Sequence, residues 1–363
     1  MREERTESIT STQPPRIRRR TPRHMRAAMG LWALAIGLLV AGNALRRNKY
    51  SFRNRTVLIT GASRGLGLEL ARQLASEGAR LWLVARSTED LNRAAAELRQ
   101  TGAFVETITA DLREEQDIDQ LVSRVVQTDP VIDVVINNAG TIVVSPFEHA
   151  QPQDFQDSLA THFWAPFHVI RKALPHMRRG GDGRIVNISS IGGRIGVPHL
   201  AAYAAGKFAL TGFSESLAAE LAKTGIYVTT VTPGLMRTGS YVGVQLRGQV
   251  EKELRWFAAM ADTPLLTMHP SRAARQIIEA ARRRRAAITP LWYARAAQII
   301  DAVAPNTFAT VSSLLDRSVL PSPSPSPDTA RAHRATDVDP GAVKAMLSEE
   351  RRRRYHQPAP EWG

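Results

Sequence analysis

The chain has 363 residues, of which 43% are hydrophobic and 23% charged, an ordinary composition for a globular protein. It excludes a collagen, a wholly disordered chain and a protein with many membrane spans. The absence of cysteine excludes a disulfide framework, a thiolate nucleophile and cysteine-ligated zinc or iron–sulfur sites.

The net charge of +14 is concentrated near the N-terminus, where residues 1–49 hold 11 Lys and Arg against three acids. This excess favours a membrane surface over nucleic acid as the partner, and we predict no nucleic-acid binding. Residues 1–26 are polar and arginine-rich and are predicted to form a disordered basic arm.

Residues 27–45 carry no charge, and as a helix they would span about 28 Å, enough for a bilayer core. We interpret them as a membrane-anchor helix, with a cleaved signal peptide or a core or interfacial helix as alternatives. Cations on both flanks leave the orientation open. Translation from Met25 or Met29 would leave a short outer end and place the folded domain on the cytoplasmic side, which is the location we predict.

From Thr56 to Thr289, short β-branched runs alternate with amphipathic stretches. Their continuous apolar character is typical of a parallel sheet covered by helices on both faces. The sequence therefore predicts an α/β fold, a doubly wound three-layer α/β/α sheet in one domain over residues 50–320. The predicted strands are 56–60, 80–85, 104–110, 131–136, 184–189 and 226–231.

The last part of this domain, residues 290–320, is predicted to be a helical extension that packs on the domain or lies at the membrane. A PSPSPSP run then begins a predicted disordered tail over residues 321–363.

A glycine-rich turn, TGASRGLG at residues 60–67, follows the first strand and opens a helix. Its three glycines let the backbone turn sharply and approach a pyrophosphate at the helix N-terminus, which predicts a dinucleotide site. The predicted cofactor contacts in this turn are Gly61, Ser63, Arg64, Gly65, Leu66 and Gly67.

The second strand ends at Arg86, where an NAD-dependent enzyme would be expected to carry an acidic residue for the ribose hydroxyls. Arg64 supplies a second guanidinium nearby, and two such groups suit a 2′-phosphate. The pattern therefore favours NADP(H) over NAD(H). The alternative is that Arg86 merely solvates the end of a strand.

Tyr203 and Lys207 are one helical turn apart, so they share a helix face. A phenol titrates near 10, and a neighbouring cation would lower its pKa toward neutrality for proton exchange. Upstream, Ser190 follows a strand and would hydrogen-bond a substrate carbonyl. Taken alone, the Tyr–Lys pair is also compatible with an exposed helix face.

The motifs occur in a characteristic order: the glycine turn, Asn137-Asn138-Ala139-Gly140, Ser190, Tyr203, Lys207 and Pro233-Gly234. From about Arg53 to Thr289 this order resembles the short-chain dehydrogenase/reductase family, in its single-domain Rossmann-fold branch. The resemblance implies hydride transfer between a nicotinamide and a carbonyl or alcohol carbon.

By the same resemblance, Ser190 would polarise the carbonyl and Tyr203 would be the proton donor or acceptor. Lys207 would hold the nicotinamide ribose and depress the pKa of Tyr203. The remaining implied cofactor contacts are Asp111 with Leu112 near the adenine, Asn138, Ala139 and Gly140 along the cofactor, and Pro233, Gly234 and Thr238 over the nicotinamide amide.

The family's catalytic Asn is replaced here by His162, counted back from Leu174-Pro175. An imidazole donates and accepts hydrogen bonds as Asn does, and it can also carry a proton. The alternative is that His162 is an ordinary helix residue at a shifted alignment.

Residues 191–200 and 235–268 are predicted to contact the substrate, and their apolar side chains with the anchor favour a lipophilic carbonyl. A non-catalytic NADP-binding regulator, a membrane-tethered scaffold and a nucleotide-sugar epimerase are the alternatives. The resemblance suggests a homodimer or homotetramer. The histidines show no metal-ligand spacing, so no metal is predicted, and Phe163, Trp164 and Phe167 are predicted to be packing residues.

Overall fold

The computed structural model describes residues 50–238, 243–263, 267–323, 333–334 and 353–357. Its central feature is a fully parallel seven-stranded sheet. The strands are β1 (Thr56–Thr60), β2 (Arg80–Ala85), β3 (Val105–Thr109), β4 (Val134–Asn137), β5 (Gly183–Ile188), β6 (Ile226–Val231) and β7 (Ala287–Ile288). Their order across the sheet is β7-β6-β5-β4-β1-β2-β3, which confirms the predicted doubly wound topology.

Helices cover both faces of this sheet. They are α1 (Gly65–Ser76), α2 (Thr88–Arg99), α3 (Glu115–Thr128), α4 (Pro152–Leu159), α5 (Ala165–Gly180), α6 (Ala201–Leu221), α7 (Val250–Asp262), α8 (Pro270–Arg282), α9 (Trp292–Val303) and α10 (Pro305–Val319). Shorter strands pair Leu235–Met236 with Thr267–Met268, and Gln245–Leu246 with Val143–Val144 and His333–Arg334.

Neighbouring residues of β1 enter opposite apolar clusters, so the sheet is buried on both sides. Val57 and Ile59 pack with α1, α2 and α8 on one face. Leu58 packs with α3, α5 and α6 on the other face. This two-sided burial is why the strands read as unbroken apolar runs rather than as alternating ones.

The sequence interpretation missed β7, although it located the other six strands. Ala287 and Ile288 pair with Thr230 and Val231 of β6. A two-residue strand is too short for a periodic pattern to reveal, so only the pairing with β6 identifies it.

The predicted arm at residues 1–26 and the predicted anchor at residues 27–45 lie outside the described residues. Most of the predicted tail at 321–363 does so as well. Among the helices that the structure does describe, none is long and apolar enough to cross a bilayer.

The loops that carry the predicted cofactor-binding and catalytic residues lie at one edge of the sheet. The glycine turn follows β1, Asn138 follows β4, Ser190 follows β5 and Pro233 follows β6. Because parallel strands end at a common edge, these segments of distant sequence border one crevice.

Candidate active site

The glycine turn has the conformation that a phosphate-binding loop requires. Gly61 and Gly65 have positive φ angles of +63° and +58°. A Cβ on Gly61 would lie 2.8 Å from the Cα of Ala139, and one on Gly67 would lie 2.2 Å from the carbonyl oxygen of Gly61. Glycine is therefore required here for space as well as for conformation.

Asn138 holds this turn against the end of β4. Its side-chain amide donates to the carbonyl oxygens of Thr60 (3.1 Å) and Gly61 (3.0 Å). The hydroxyl of Thr60 accepts in turn from the backbone N–H groups of Asn138 and Ala139. The Asn138–Ala139 segment thus fixes the cofactor turn, in addition to bordering the crevice.

A segment near the C-terminus also reaches the glycine turn, which the sequence interpretation did not foresee because it predicted a disordered tail there. The N–H of Gly65 donates to the carbonyl oxygen of Tyr355 (3.0 Å). Tyr355 is only 2% exposed, and its hydroxyl lies 3.5 Å from Nε2 of His269. His356 contacts the carboxylate of Glu97 at 2.9 Å. The surrounding run of arginines gives no local signal of this burial.

Two guanidinium groups lie where a 2′-phosphate is predicted. Burial lowers the pKa of Arg64. Asp90 raises this pKa and Arg86 lowers it, so the two guanidinium groups are close enough to repel each other. Within the described ranges, the guanidinium groups of Arg64 and Arg86 make no hydrogen bond or ion pair. The pair is therefore chemically suited to an anionic group.

Asp111 follows β3 near the predicted adenine position, with the buried Leu112 next to it. Its carboxylate pairs with the guanidinium of Arg113 at 2.6 Å, and the hydrogen bond from Arg113 holds the pKa of Asp111 below its usual range. The group is therefore ionised and remains an acceptor for a further donor.

Ser190 and Tyr203 are brought together by two different elements, the loop after β5 and helix α6. Burial raises the pKa of Tyr203 to about 12, and the neighbouring Ser190 hydroxyl acts on that pKa in the opposite direction. The Ser190 hydroxyl also accepts from the N–H of Gly192 at 3.1 Å. The phenol is consequently protonated at neutral pH and can serve as a proton donor.

Lys207 does not lower the pKa of Tyr203 in this structure, contrary to the expectation from their spacing. Its ammonium lies 5.8 Å from the centre of the Tyr203 ring and donates to the carbonyl oxygen of Ile188 at 2.8 Å. Burial lowers the pKa of Lys207 itself to about 7. Desolvation of the phenol therefore outweighs any attraction from a lysine that is only partly charged at neutral pH.

His162 lies beside the Tyr203–Lys207 pair, on a π-helical turn between α4 and α5. Its ring is 5.3 Å from the Tyr203 ring, and its Nε2 lies 2.8 Å from the carbonyl oxygen of Thr141, so Nε2 carries the proton. Burial and the nearby Lys207 lower the pKa of His162 well below its ordinary value. The neutral ring thus leaves Nδ1 as a buried acceptor that no described group contacts.

The loop after β6 is packed against the C-terminal extension. The carbonyl oxygen of Pro233 accepts from the N–H of Ile191 at 2.8 Å. A Cβ on Gly234 would lie 3.0 Å from the hydroxyl of Tyr293. Thr238 is buried next to Gly65, so the loop spans the crevice toward the glycine turn. Sequence reasoning missed Tyr293 because it comes from a helix beyond the recognised motifs.

An apolar cluster lies beside Tyr203, in the segments predicted to contact the substrate. It consists of Val144, Leu200, Val244, Leu246, Leu254, Phe257, Ala258 and Ala261, with Tyr203 packed against it. The cluster forms a third apolar core, separate from the two that cover the faces of the sheet.

A buried carboxylate orders the same region. Glu253 is fully buried and accepts from Nε1 of Trp256 at 2.6 Å and lies 2.9 Å from Nδ1 of His199. His199 has a positive φ of +61°. Sequence reasoning missed the contact between His199 and Glu253, since the two residues are 54 positions apart.

The predicted packing aromatics do pack together. Phe163 lies 4.8 Å from Trp164 and 5.8 Å from Phe213 between ring centres. In the ranges covered by the structure, no group of His, Asp and Glu side chains is arranged to hold a metal ion.

Comparison with known proteins agrees with this geometry. The sequence profile described as short chain dehydrogenase matches residues 55–245, more than half of the chain. A relative named putative ketoacyl reductase, from Streptomyces coelicolor, is 39% identical over 187 residues, which cover 51% of this chain and 72% of the relative.

Solved structures of reductases and dehydrogenases are also similar to this chain. A variant of actinorhodin polyketide ketoreductase with NADPH is 33% identical, with a TM-score of 0.57, and covers 65% of this chain and 95% of the neighbour. A short chain dehydrogenase/reductase from Burkholderia phymatum in complex with NAD has a TM-score of 0.65 at 21% identity, covering 71% and 96%, and supports the fold alone. The profile match and the ketoacyl reductase relative together show that the chain belongs to the short-chain dehydrogenase family and is an oxidoreductase of carbonyl or alcohol groups.

Proposed function

We propose that the protein is an NADP(H)-dependent reductase of a lipophilic ketoacyl-type carbonyl, with Tyr203 as the proton donor. The observation that carries this proposal is the position of the Tyr203 ring, 5.3 Å from the His162 ring and 5.8 Å from the Lys207 ammonium, with Ser190 beside it. A non-catalytic regulator or scaffold would need neither this set nor its burial.

The residues at the crevice fit a dinucleotide. The sterically tight turn at Gly61 and Gly67 lets the backbone approach a pyrophosphate at the start of α1 once the carbonyl of Tyr355 leaves the N–H of Gly65. Arg64 and Arg86 would hold the 2′-phosphate, and Asp111 would accept from the adenine amino group. Bound there, the nicotinamide supplies the hydride that the side chains lack.

Each residue at the other end of the crevice would then have a defined task. Ser190 donates to the substrate carbonyl oxygen, and the O–H of Tyr203 gives that oxygen its proton. Lys207 holds the ribose and stabilises the phenolate that remains. The free Nδ1 of His162 accepts from a water molecule on the path that returns the proton.

The preference for NADP(H) rests on the two unpaired arginines and on the NADPH of the polyketide ketoreductase. The NAD of a more distant neighbour shows that the fold alone does not fix the cofactor. The ketoacyl class is supported by the Streptomyces coelicolor relative and by the apolar cluster beside Tyr203.

We also propose that residues 27–45 anchor the protein in a membrane with the catalytic domain on the cytoplasmic side. The uncharged stretch and its cationic flanks support this assignment. Trp164, which precedes α5 and is 49% exposed, supports self-association into a homodimer or homotetramer.

The decisive test is Tyr203→Phe, which removes one oxygen atom and keeps the ring. We expect NADPH oxidation with a ketoacyl thioester to fall by at least about 100-fold, because the proton donor is lost. NADPH affinity, measured by fluorescence, serves as the control and should stay within about twofold. Unchanged turnover in this variant would refute the proposed chemistry.

A further inference from the structure

The C-terminal helices α9 and α10 present an apolar surface to solvent. Only Ala294 of α9 is buried, and no residue of α10 is. Trp292 and Val303 are about four-fifths exposed, and the other large apolar side chains are about half exposed. The set, named here the hairpin stripe, is Trp292, Ile299, Ile300, Val303, Val311, Leu314, Leu315 and Val319.

The spacing of these residues puts them along one side of each helix. On α10, Val311, Leu314, Leu315 and Val319 follow the i, i+3, i+4, i+8 pattern of a helix face. The opposite side of α10 is attached to the domain, because Asp316 lies 3.4 Å from Nε2 of His199. The stripe is therefore an outward face rather than a poorly packed core.

An arginine-rich groove adjoins the same hairpin. This cavity of about 560 Å³ is bordered by α8, β7 and α9. The arginine groove, as we name it, contains Arg194, Arg275, Arg283, Arg285 and Arg295 and one acid, Glu279. Arg194 pairs with Glu215 and Arg283 with Glu279. The guanidinium groups of Arg275, Arg285 and Arg295 make no hydrogen bond or ion pair to any described residue.

Charge decides between the possible occupants of this surface. A second copy would bring a second arginine groove against the first, and like charges would repel. The apolar segment 27–45 is flanked by arginines of its own and offers no acid. An anionic phospholipid supplies both complements, a phosphate for the groove and acyl chains for the stripe.

We propose that the hairpin stripe and the arginine groove together dock on a bilayer that contains anionic phospholipids. Trp292 stands three residues from Arg295 on α9, so an interfacial aromatic and a phosphate-binding cation are adjacent. The hairpin stripe and four of the five arginines of the groove follow residue 245, where the family match ends. The surface is a second membrane contact, independent of residues 27–45 and of the proposed reaction.

The absence of cysteine allows the hairpin to be observed separately from the rest of the chain. Val303→Cys and Leu314→Cys would each carry a polarity-sensitive fluorophore in the whole chain. Gln100→Cys, at an exposed position directly after α2, is the matched control. The labelled proteins are mixed with vesicles of phosphatidylcholine alone or with phosphatidylglycerol, with and without a lipid-borne quencher.

We expect labels at residues 303 and 314 to shift to the blue and to be quenched severalfold by phosphatidylglycerol vesicles, and the label at 100 to be unaffected. Arg285→Glu with Arg295→Glu should lower the ratio of docked to free hairpin by about 30-fold or more. The matched charge change, Arg124→Glu with Arg178→Glu on α3 and α5, should leave it unaltered.

Three results would overturn the proposal. Labels at residues 303 and 314 that stay in water while the protein sits on vesicles would show that the hairpin does not dock. A shift that follows protein concentration without lipid would identify a second copy as the occupant. Labels already shielded from a water-soluble quencher without vesicles would identify another segment of the chain.

Discussion

Lys207 shows how burial alters a single candidate catalytic group. The residue is 4% exposed, and its ammonium has a backbone carbonyl, not a carboxylate, as its described hydrogen-bond acceptor. Burial lowers its pKa from 10.5 to about 7. Below pH 7 the lysine is charged in both the folded and the unfolded chain, so folding includes the desolvation of a cation.

This shift predicts a specific dependence of stability on pH. Between pH 7 and 10.5 the unfolded chain holds the proton and the folded chain does not, so the free energy of unfolding rises with pH. Relative to Lys207→Met, the wild type should therefore gain on the order of a few kcal/mol across this range. Urea denaturation at several pH values measures it, with the exposed Lys223→Met as control. A constant difference between wild type and Lys207→Met would disprove the shift.

His162 shows a second residue-scale effect. The sequence allowed the imidazole to carry a proton, but burial keeps it neutral. Its contribution is thereby reduced to accepting and relaying a hydrogen bond, as an Asn amide does.

At the scale of elements, the short segment 353–357 reaches the crevice that is predicted to hold the cofactor. The carbonyl oxygen of Tyr355 accepts from the N–H of Gly65, the group that starts α1. A pyrophosphate at this helix N-terminus requires the same donors. The segment and the cofactor would therefore compete.

Releasing the segment should tighten cofactor binding. Tyr355→Ala removes the buried ring that holds it, and we expect the Kd for NADPH to fall by about tenfold, because less of the protein is in a blocked state. Fluorescence titration measures this, and the exposed neighbour Arg354→Ala should leave the Kd unchanged. Weaker binding by Tyr355→Ala would instead show that the segment helps to hold the cofactor.

At the scale of the whole molecule, a preference for one cofactor should appear as a difference in the thermal stability of the protein with NADPH and with NADH. A ligand that binds only the folded chain raises the free energy of unfolding by about 2.7 kcal/mol at 100 times its Kd. NADPH should therefore raise the Tm more than NADH at equal concentration. Arg64→Ala with Arg86→Ala should remove most of that difference. Equal stabilisation of the wild type by the two cofactors would contradict the assignment to NADP(H).

Local patterns in the sequence were enough to place six of the seven strands, the glycine turn and the Tyr203–Lys207 spacing. Each depends on residues close in the chain, where strand propensity, glycine conformation and helical period act directly. The doubly wound order followed, because alternating parallel units restrict the topology.

Only the tertiary structure placed Tyr355 on Gly65, Glu253 beside His199 and Tyr293 against Gly234. These contacts join segments far apart in the chain, so no short pattern records them. The protonation states of Tyr203, Lys207 and His162 also depend on the tertiary structure. The sequence shows which ionisable groups are present, but the loss of water around each group depends on how the whole chain packs.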